Sequence, residues 1–200
     1  MNALTASSRF DFSTVTVLVL AAGKGERFRA SGGTCHKLEA LIAAKPMLWH
    51  VMKAVDESGL RALLVRPHGG TGGMGESIAL GVRSTPDAAG WLILPADLPL
   101  IQAGTLHLVA NSLSQNLIVA PHCDGRRGHP VAFRRELYHD LAALSADYGA
   151  SSIVRANQSL GHVLDLAVED IGIAEDVDTI TDLVRVEKIL RLREHAEQTQ

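Results

Sequence analysis

The chain has 200 residues, of which 46% are hydrophobic and 20% charged, the proportions of an ordinary folded domain rather than a disordered or fibrous one. Nineteen basic against twenty-two acidic residues leave a net charge of −3, which argues against nucleic acid or an anionic membrane as the main partner. Two cysteines, Cys35 and Cys123, make no disulfide framework for this length and fit a reducing cytoplasm.

Residues 1–14 carry no basic leader and read as a flexible N-terminal extension, so the domain is expected over 15–200. The first apolar run, Val15 to Ala22, is too short to span a bilayer, where about 20 residues are needed. Val15–Leu20 within it reads as a buried strand, β-branched and continuous, closed by Ala21-Ala22-Gly23. Pro46–Val55 fits an amphipathic helix, with Leu48, Val51, Met52 and Val55 on one face and Pro46 suited to its first turn. Leu63–Val65 is a short strand, and Gly69–Gly75 is loop. Glu76–Val82 resumes helical spacing, and Trp91–Leu94 is a strand ending at Pro95-Ala96-Asp97-Leu98-Pro99. Thr105–Leu113 reads as helix, Leu117–Ala120 as strand, Glu136–Leu144 as helix, Val163–Val168 as strand and Thr179–Leu192 as a closing amphipathic helix. Buried strands alternating with helices predict an α/β fold: one three-layer αβα sandwich with a mainly parallel, Rossmann-like sheet. Ligands of such sheets bind outside the carboxyl ends of the strands, where the suspicious loops fall.

The first such loop is Leu20-Ala21-Ala22-Gly23-Lys24-Gly25-Glu26-Arg27. Glycines after a buried strand let backbone N–H groups approach phosphate oxygens, and a helix N-terminus adds favourable partial charge. It is not a Walker loop, and Phe28 replaces the third glycine of a dinucleotide fingerprint. A plain tight turn would look the same, but Lys24, Arg27 and Lys37 bring the positive charge that a triphosphate requires. Gly73-Met74-Gly75-Glu76-Ser77 puts glycine and a hydroxyl at a helix start, either as a cap or as a second ligand loop. Asp97, just past a strand, is either a turn aspartate or a carboxylate that a magnesium ion would bridge to a phosphate. Asp178 or Thr179 could cap the last helix. Arg126 and Arg127 suit an anionic ligand, and His129 is either a satisfied loop histidine or a group that orients or deprotonates a phosphate. Each cysteine adjoins a histidine (Cys35-His36, His122-Cys123), but neither pair has zinc spacing.

These motifs together resemble the MobA-like nucleotidyltransferase superfamily. L-A-A-G-x-G-x-R with Cys35-His36-Lys37-Leu38, G-M-G-x-S, L-P-A-D-L-P, G-R-R-G-H-P-V-A-F and Asp176-Val177-Asp178-Thr179 are similar to motifs of the MocA-type molybdenum cofactor cytidylyltransferases. The Ala-Ala-Gly form leans away from the guanylyltransferase branch. The resemblance implies a nucleotidyltransferase fold and a transfer of CMP from CTP to the phosphate of molybdopterin, with release of pyrophosphate. It implies magnesium as cofactor, and a molybdenum hydroxylase or its accessory protein as a partner. It assigns Arg27 and Lys37 to the triphosphate, and Gly73, Gly75 and Ser77 to the base and ribose, beside Leu20, Ala21, Ala22, Gly23 and Gly25. It makes Asp97 a metal ligand with Asp178, ahead of Asp176, as the second, and it places His129 at the acceptor. The alternatives are a transferase acting on another phosphorylated acceptor, an NAD(P)-dependent oxidoreductase using the first glycine loop, and a non-catalytic cofactor carrier.

The chain departs from the family pattern in four places. Ile180 stands for a proline, Ala146 for a glycine of the Leu144–Ala150 motif, and Ser151 for the arginine that follows it. Between Leu63 and Gly75 a helix and a strand of the family are missing.

Overall fold

The computed structural model describes residues 10–146 and 148–198. The chain runs β1 (Thr16–Leu20), α1 (Glu26–Ala30), a hairpin of β2 (Leu41–Ile42) and β3 (Lys45–Pro46), α2 (Met47–Glu57), β4 (Arg61–Val65), α3 (Met74–Ser84) and β5 (Gly90–Pro95). It continues through α4 (Ala103–Ser112), β6 (Ile118–Cys123), β7 (Arg126–Arg127), β8 (Val131–Arg134), α5 (Tyr138–Ala142), α6 (Ser151–Gln158), β9 (Val163–Ala167) and α7 (Ile180–Gln198).

Among the described residues the main sheet has seven strands in the order β4-β1-β5-β8-β6-β7, with β9 also paired to β6. β4, β1 and β5 run parallel, as do β6 and β9. β8 lies antiparallel between β5 and β6, and β7 antiparallel on β6. β1 shows why its sequence is continuously apolar. Val17 and Val19 face one core, with Val51 and Val55 of α2, Leu106 and Val109 of α4 and Val186 of α7. Leu18 faces the other, with Ile78 and Val82 of α3 and Leu141 of α5. A strand buried on both faces has no polar side to alternate with, and the two helical layers make the expected αβα sandwich.

Several boundaries differ from the sequence reading. α3 begins at Met74, two residues before Glu76. The helix expected over Glu136–Leu144 is a 3₁₀ turn at Arg135–Leu137 followed by the short α5, whose end is held by Arg83 Nη1 donating to the Ala142 carbonyl at 2.7 Å. β8, α6 and the β2–β3 hairpin were not anticipated, because each is short and offers few apolar positions to carry a period. Leu63 to Gly75 is as short as it reads: β4 passes through residues 66–73 straight into α3, so β4 is the last strand of the sheet order on its side.

Of the expected N-terminal extension, residues 1–9 lie outside the described residues. Its last residues are docked rather than loose: Phe10 and Phe12 pack on the core, Asp11 caps a 3₁₀ turn at Phe12–Thr14, and Thr14 Oγ1 accepts from Ala89 N at 3.1 Å. Apolar side chains so close to the core are better buried than left in water. Among the described residues, no helix is long and apolar enough to cross a membrane.

Candidate active site

The carboxyl ends of β1 and β5 are stitched together, with Ala96 N donating to the Leu20 carbonyl at 3.0 Å. A cavity of about 520 Å³ opens above them, lined by the glycine loop from Leu20 to Phe28, by Lys37, Leu38, Ser77, Asp97 and Asp178, and by the segment from Thr71 to Met74.

The loop takes its shape from two devices. Gly25 caps α1 with φ +65°, a left-handed conformation that costs glycine nothing. A Cβ on Gly25 would also sit 3.4 Å from Lys37 Cγ. His36 then ties the loop down: its Nδ1 accepts from Leu38 N at 3.3 Å, leaving Nε2 to donate to the Gly23 carbonyl at 3.0 Å. With Leu38 buried behind it, Lys37 is aimed into the cavity.

Lys37 Nζ donates to Asp97 Oδ2 at 2.6 Å and to Asp178 Oδ1 at 3.0 Å, and Arg27 Nη1 lies 2.6 Å from Asp178 Oδ2. Burial pulls the Lys37 ammonium downward, but Asp97 and then Asp178 outweigh it, so the group sits above its ordinary pKa and is charged. The two carboxylates converge from distant parts of the chain because Val177 N donates to the Asp97 carbonyl at 3.0 Å. Asp178 is free to face the cavity because the cap of α7 is made elsewhere. Thr179 Oγ1 accepts from Asp182 N at 3.2 Å, while Asp182 Oδ2 accepts from Thr179 N at 2.9 Å, a reciprocal capping box. Ile180 uses the N–H that a proline would lack, donating to Ser31 Oγ at 3.0 Å.

The second glycine loop behaves differently from expectation. Gly73 lines the cavity but Gly75 does not; a Cβ on Gly75 would lie 2.1 Å from the carbonyl oxygens of Ser145 and Tyr148. Gly75 thus has no room for a side chain beneath the backbone of Ser145 and Tyr148. Ser77 is in the first turn of α3, not its cap. Its Oγ lies 2.7 Å from Thr71 Oγ1, and both hydroxyls reach the Gly73 carbonyl. Thr71, Gly72 and Met74 line the cavity and were missed in sequence, since residues in a glycine-rich loop show no period that would reveal which way they face.

His129 and Asp176 do not line this cavity either. His129 lines a second one of about 440 Å³, which shares Met74 with the first. Its Nδ1 lies 3.3 Å from the Ile93 carbonyl, so that nitrogen carries the proton and Nε2 keeps a lone pair. Burial pushes its pKa down, against the pull of that carbonyl and of Asp97 and Asp176. His129 is thus a neutral acceptor rather than a cation for a phosphate. Arg126 turns away to Glu175 and the Ala174 carbonyl, and Arg127, on the wall of the second cavity, pairs with Asp165 at 2.6 Å. Asp147 lies outside the described residues.

Among the described residues no group of three or more His, Cys, Asp or Glu is arranged to hold a metal. Asp97 and Asp178, facing one cation, make a two-carboxylate donor set. Magnesium fits such a set where substrate phosphates complete the shell.

The chain resembles the bifunctional protein GlmU of Stenotrophomonas maltophilia (strain R551-3), 34% identical over 139 residues, covering 59% of this chain and 30% of that protein. It thus spans about a third of the length of such relatives. Rv0371c from Mycobacterium tuberculosis H37Rv superposes with a TM-score of 0.72 at 21% identity, over 88% of this chain and 99% of that one. Its complex with manganese superposes at 0.67 and 20% identity, over 88% and 98%. The CMP:2-keto-3-deoxy-manno-octonic acid synthetase complexed with CTP gives 0.58 at 14% identity, over 90% and 100%. The model of the MobA-like NTP transferase domain matches residues 17–163, and the chain belongs to that family.

Proposed function

We propose that the protein transfers CMP from CTP to a phosphate monoester, with molybdopterin as the acceptor, and releases pyrophosphate. The observation that carries this reading is the Lys37 ammonium held between Asp97 and Asp178 at the mouth of the glycine loop. A triphosphate entering there meets Lys37 and Arg27, the N–H groups of the loop, and two carboxylates able to hold its metal. The choice of CTP rests on the Ala21-Ala22-Gly23 form of the loop, and a fold neighbour has been solved with CTP.

In the reaction an oxygen of the acceptor phosphate forms a bond to the α-phosphorus. The bond from that phosphorus to the oxygen bridging to the β-phosphate breaks, and its electron pair leaves with pyrophosphate. No proton has to move if the acceptor phosphate enters as a dianion, which suits a neutral His129. Magnesium bound at Asp97 and Asp178 would neutralise charge on the phosphates. Lys37 and Arg27 follow that charge as it builds on the departing group, and the loop amides hold the chain of phosphates in line.

Thermal unfolding with each of the four nucleoside triphosphates plus magnesium tests the assignment, because a ligand of the native state raises the melting temperature by mass action. CTP is expected to give the largest rise. A larger rise with NADPH than with any triphosphate would refute the transferase reading.

A further inference from the structure

The second cavity lies across Met74 from the nucleotide cavity and is built unlike it. Its floor is apolar, from Ile78, Ile93, Val131, Phe133 and Val154. Among the described residues that line it, none is Asp, Glu, Asn or Gln, which leaves His129 and Ser151 as the side-chain acceptors for a ligand's hydroxyls. Its charge comes from two arginines. Arg127 is paired with Asp165 and donates to Gln158 Oε1. Arg155 is exposed, and its guanidinium makes no ion pair or hydrogen bond among the described residues. It shares the cavity wall with Ser151, the two standing four residues apart on α6 and hence on the same helical face.

We infer that Arg155 is the residue that selects the acceptor: it receives an anionic group of a molecule that lays an apolar face, rather than a ring of hydroxyls, on this floor. This rests on the transferase reading for the identity of the cavity, but not for its chemistry. A guanidinium at the rim of an apolar cavity, with no carboxylate paired to it, is open to an anion that can take its N–H donors bidentately. Burying an apolar face on the floor gains about 25 cal/mol per Å², whereas a polyhydroxylated face would lose hydrogen bonds there. His129 Nε2, with its lone pair, asks the bound molecule for one N–H or O–H group.

The test uses the full chain and two probes, phenyl phosphate and glucose 1-phosphate, titrated by calorimetry, with CTP plus magnesium titrated separately. Phenyl phosphate is expected to bind at least about tenfold tighter than glucose 1-phosphate. Arg155→Gln should weaken it about tenfold, Arg155→Lys by less, and the exchange Ser151→Arg with Arg155→Ser should recover it. CTP binding should be unchanged in all three, which shows that they fold. Equal affinity for the two probes, or phenyl phosphate binding untouched by Arg155→Gln, would overturn the inference. Failure of the wild-type chain to bind CTP would instead count against the transferase reading, so the two failures are distinguishable.

Discussion

Lys37 and Asp97, sixty residues apart in sequence, meet with Nζ 2.6 Å from Oδ2, both side chains mostly shielded from solvent. The same ammonium holds Asp178, so one lysine neutralises two carboxylates that would otherwise repel. Removing it with Lys37→Met leaves Asp97 partly buried without its ammonium and Asp178 with only the exposed Arg27. The expected cost is about 2 kcal/mol of unfolding free energy in urea, below that of breaking a fully buried pair. Because the ammonium stands between the two candidate metal ligands, the same variant should bind manganese more tightly than wild type without nucleotide, as read by electron paramagnetic resonance.

Gly75→Ala tests the packing reading of the second glycine. The added Cβ would run into the carbonyls of Ser145 and Tyr148, so the 145–148 loop must shift. The expected loss is about 1–3 kcal/mol, the range of overpacking. CTP affinity should fall by much less than affinity for a phosphate ester in the second cavity, which the neighbouring residues Gly149 to Ser151 line. Calorimetry of the two ligands separates these effects.

The capping box of α7 sets an acid limit. Burial pushes the Asp182 carboxyl up, but hydrogen bonds from Thr179 and Asp178 and the Arg185 guanidinium more than reverse this, leaving it below its ordinary 3.8. A folded-state pKa below the unfolded one gives stability that is present above pH 3.8 and lost as pH falls through the folded value. Asp182→Ala should therefore cost about 1 kcal/mol at neutral pH and flatten the dependence of stability on pH in that acid window, as measured by urea unfolding at stepped pH.

The turn of the β2–β3 hairpin carries two alanines at positive φ, Ala43 at +47° and Ala44 at +64°. The left-handed region costs a residue with a Cβ about 1–2 kcal/mol, partly offset by the greater freedom of glycine in the unfolded chain. Ala44→Gly should stabilise by about 0.5–1 kcal/mol, a rise of a few degrees in melting temperature.

How much of this was readable beforehand follows from range. The buried strands at Val15–Leu20 and Trp91–Leu94 announced themselves through composition, and with the helices between them they implied the layered sheet. The residues of the first loop, Lys37, Asp97 and Asp178 share one cavity, as their motifs implied. Gly75 shows a limit of sequence, where a glycine needed for close packing looks the same as one needed for a ligand. Asp176 was expected near the metal but does not line the nucleotide cavity that Asp178 does, because which way a loop residue faces depends on tertiary bonds such as Val177 N to the Asp97 carbonyl. Arg155 carried no motif; only the placement of α6 beside the second cavity shows what it faces.

The central claim is that Asp97 and Lys37 act on a bound nucleoside triphosphate. It is tested most directly by single-turnover pyrophosphate release from CTP with magnesium and a molybdopterin acceptor, comparing wild type with Asp97→Asn. The substitution keeps the shape of the side chain but removes the charge that would hold the metal. A fall of at least about 10²-fold in rate, the scale of losing one preorganised electrostatic partner, is the expected result. Pyrophosphate release at the wild-type rate would contradict the account.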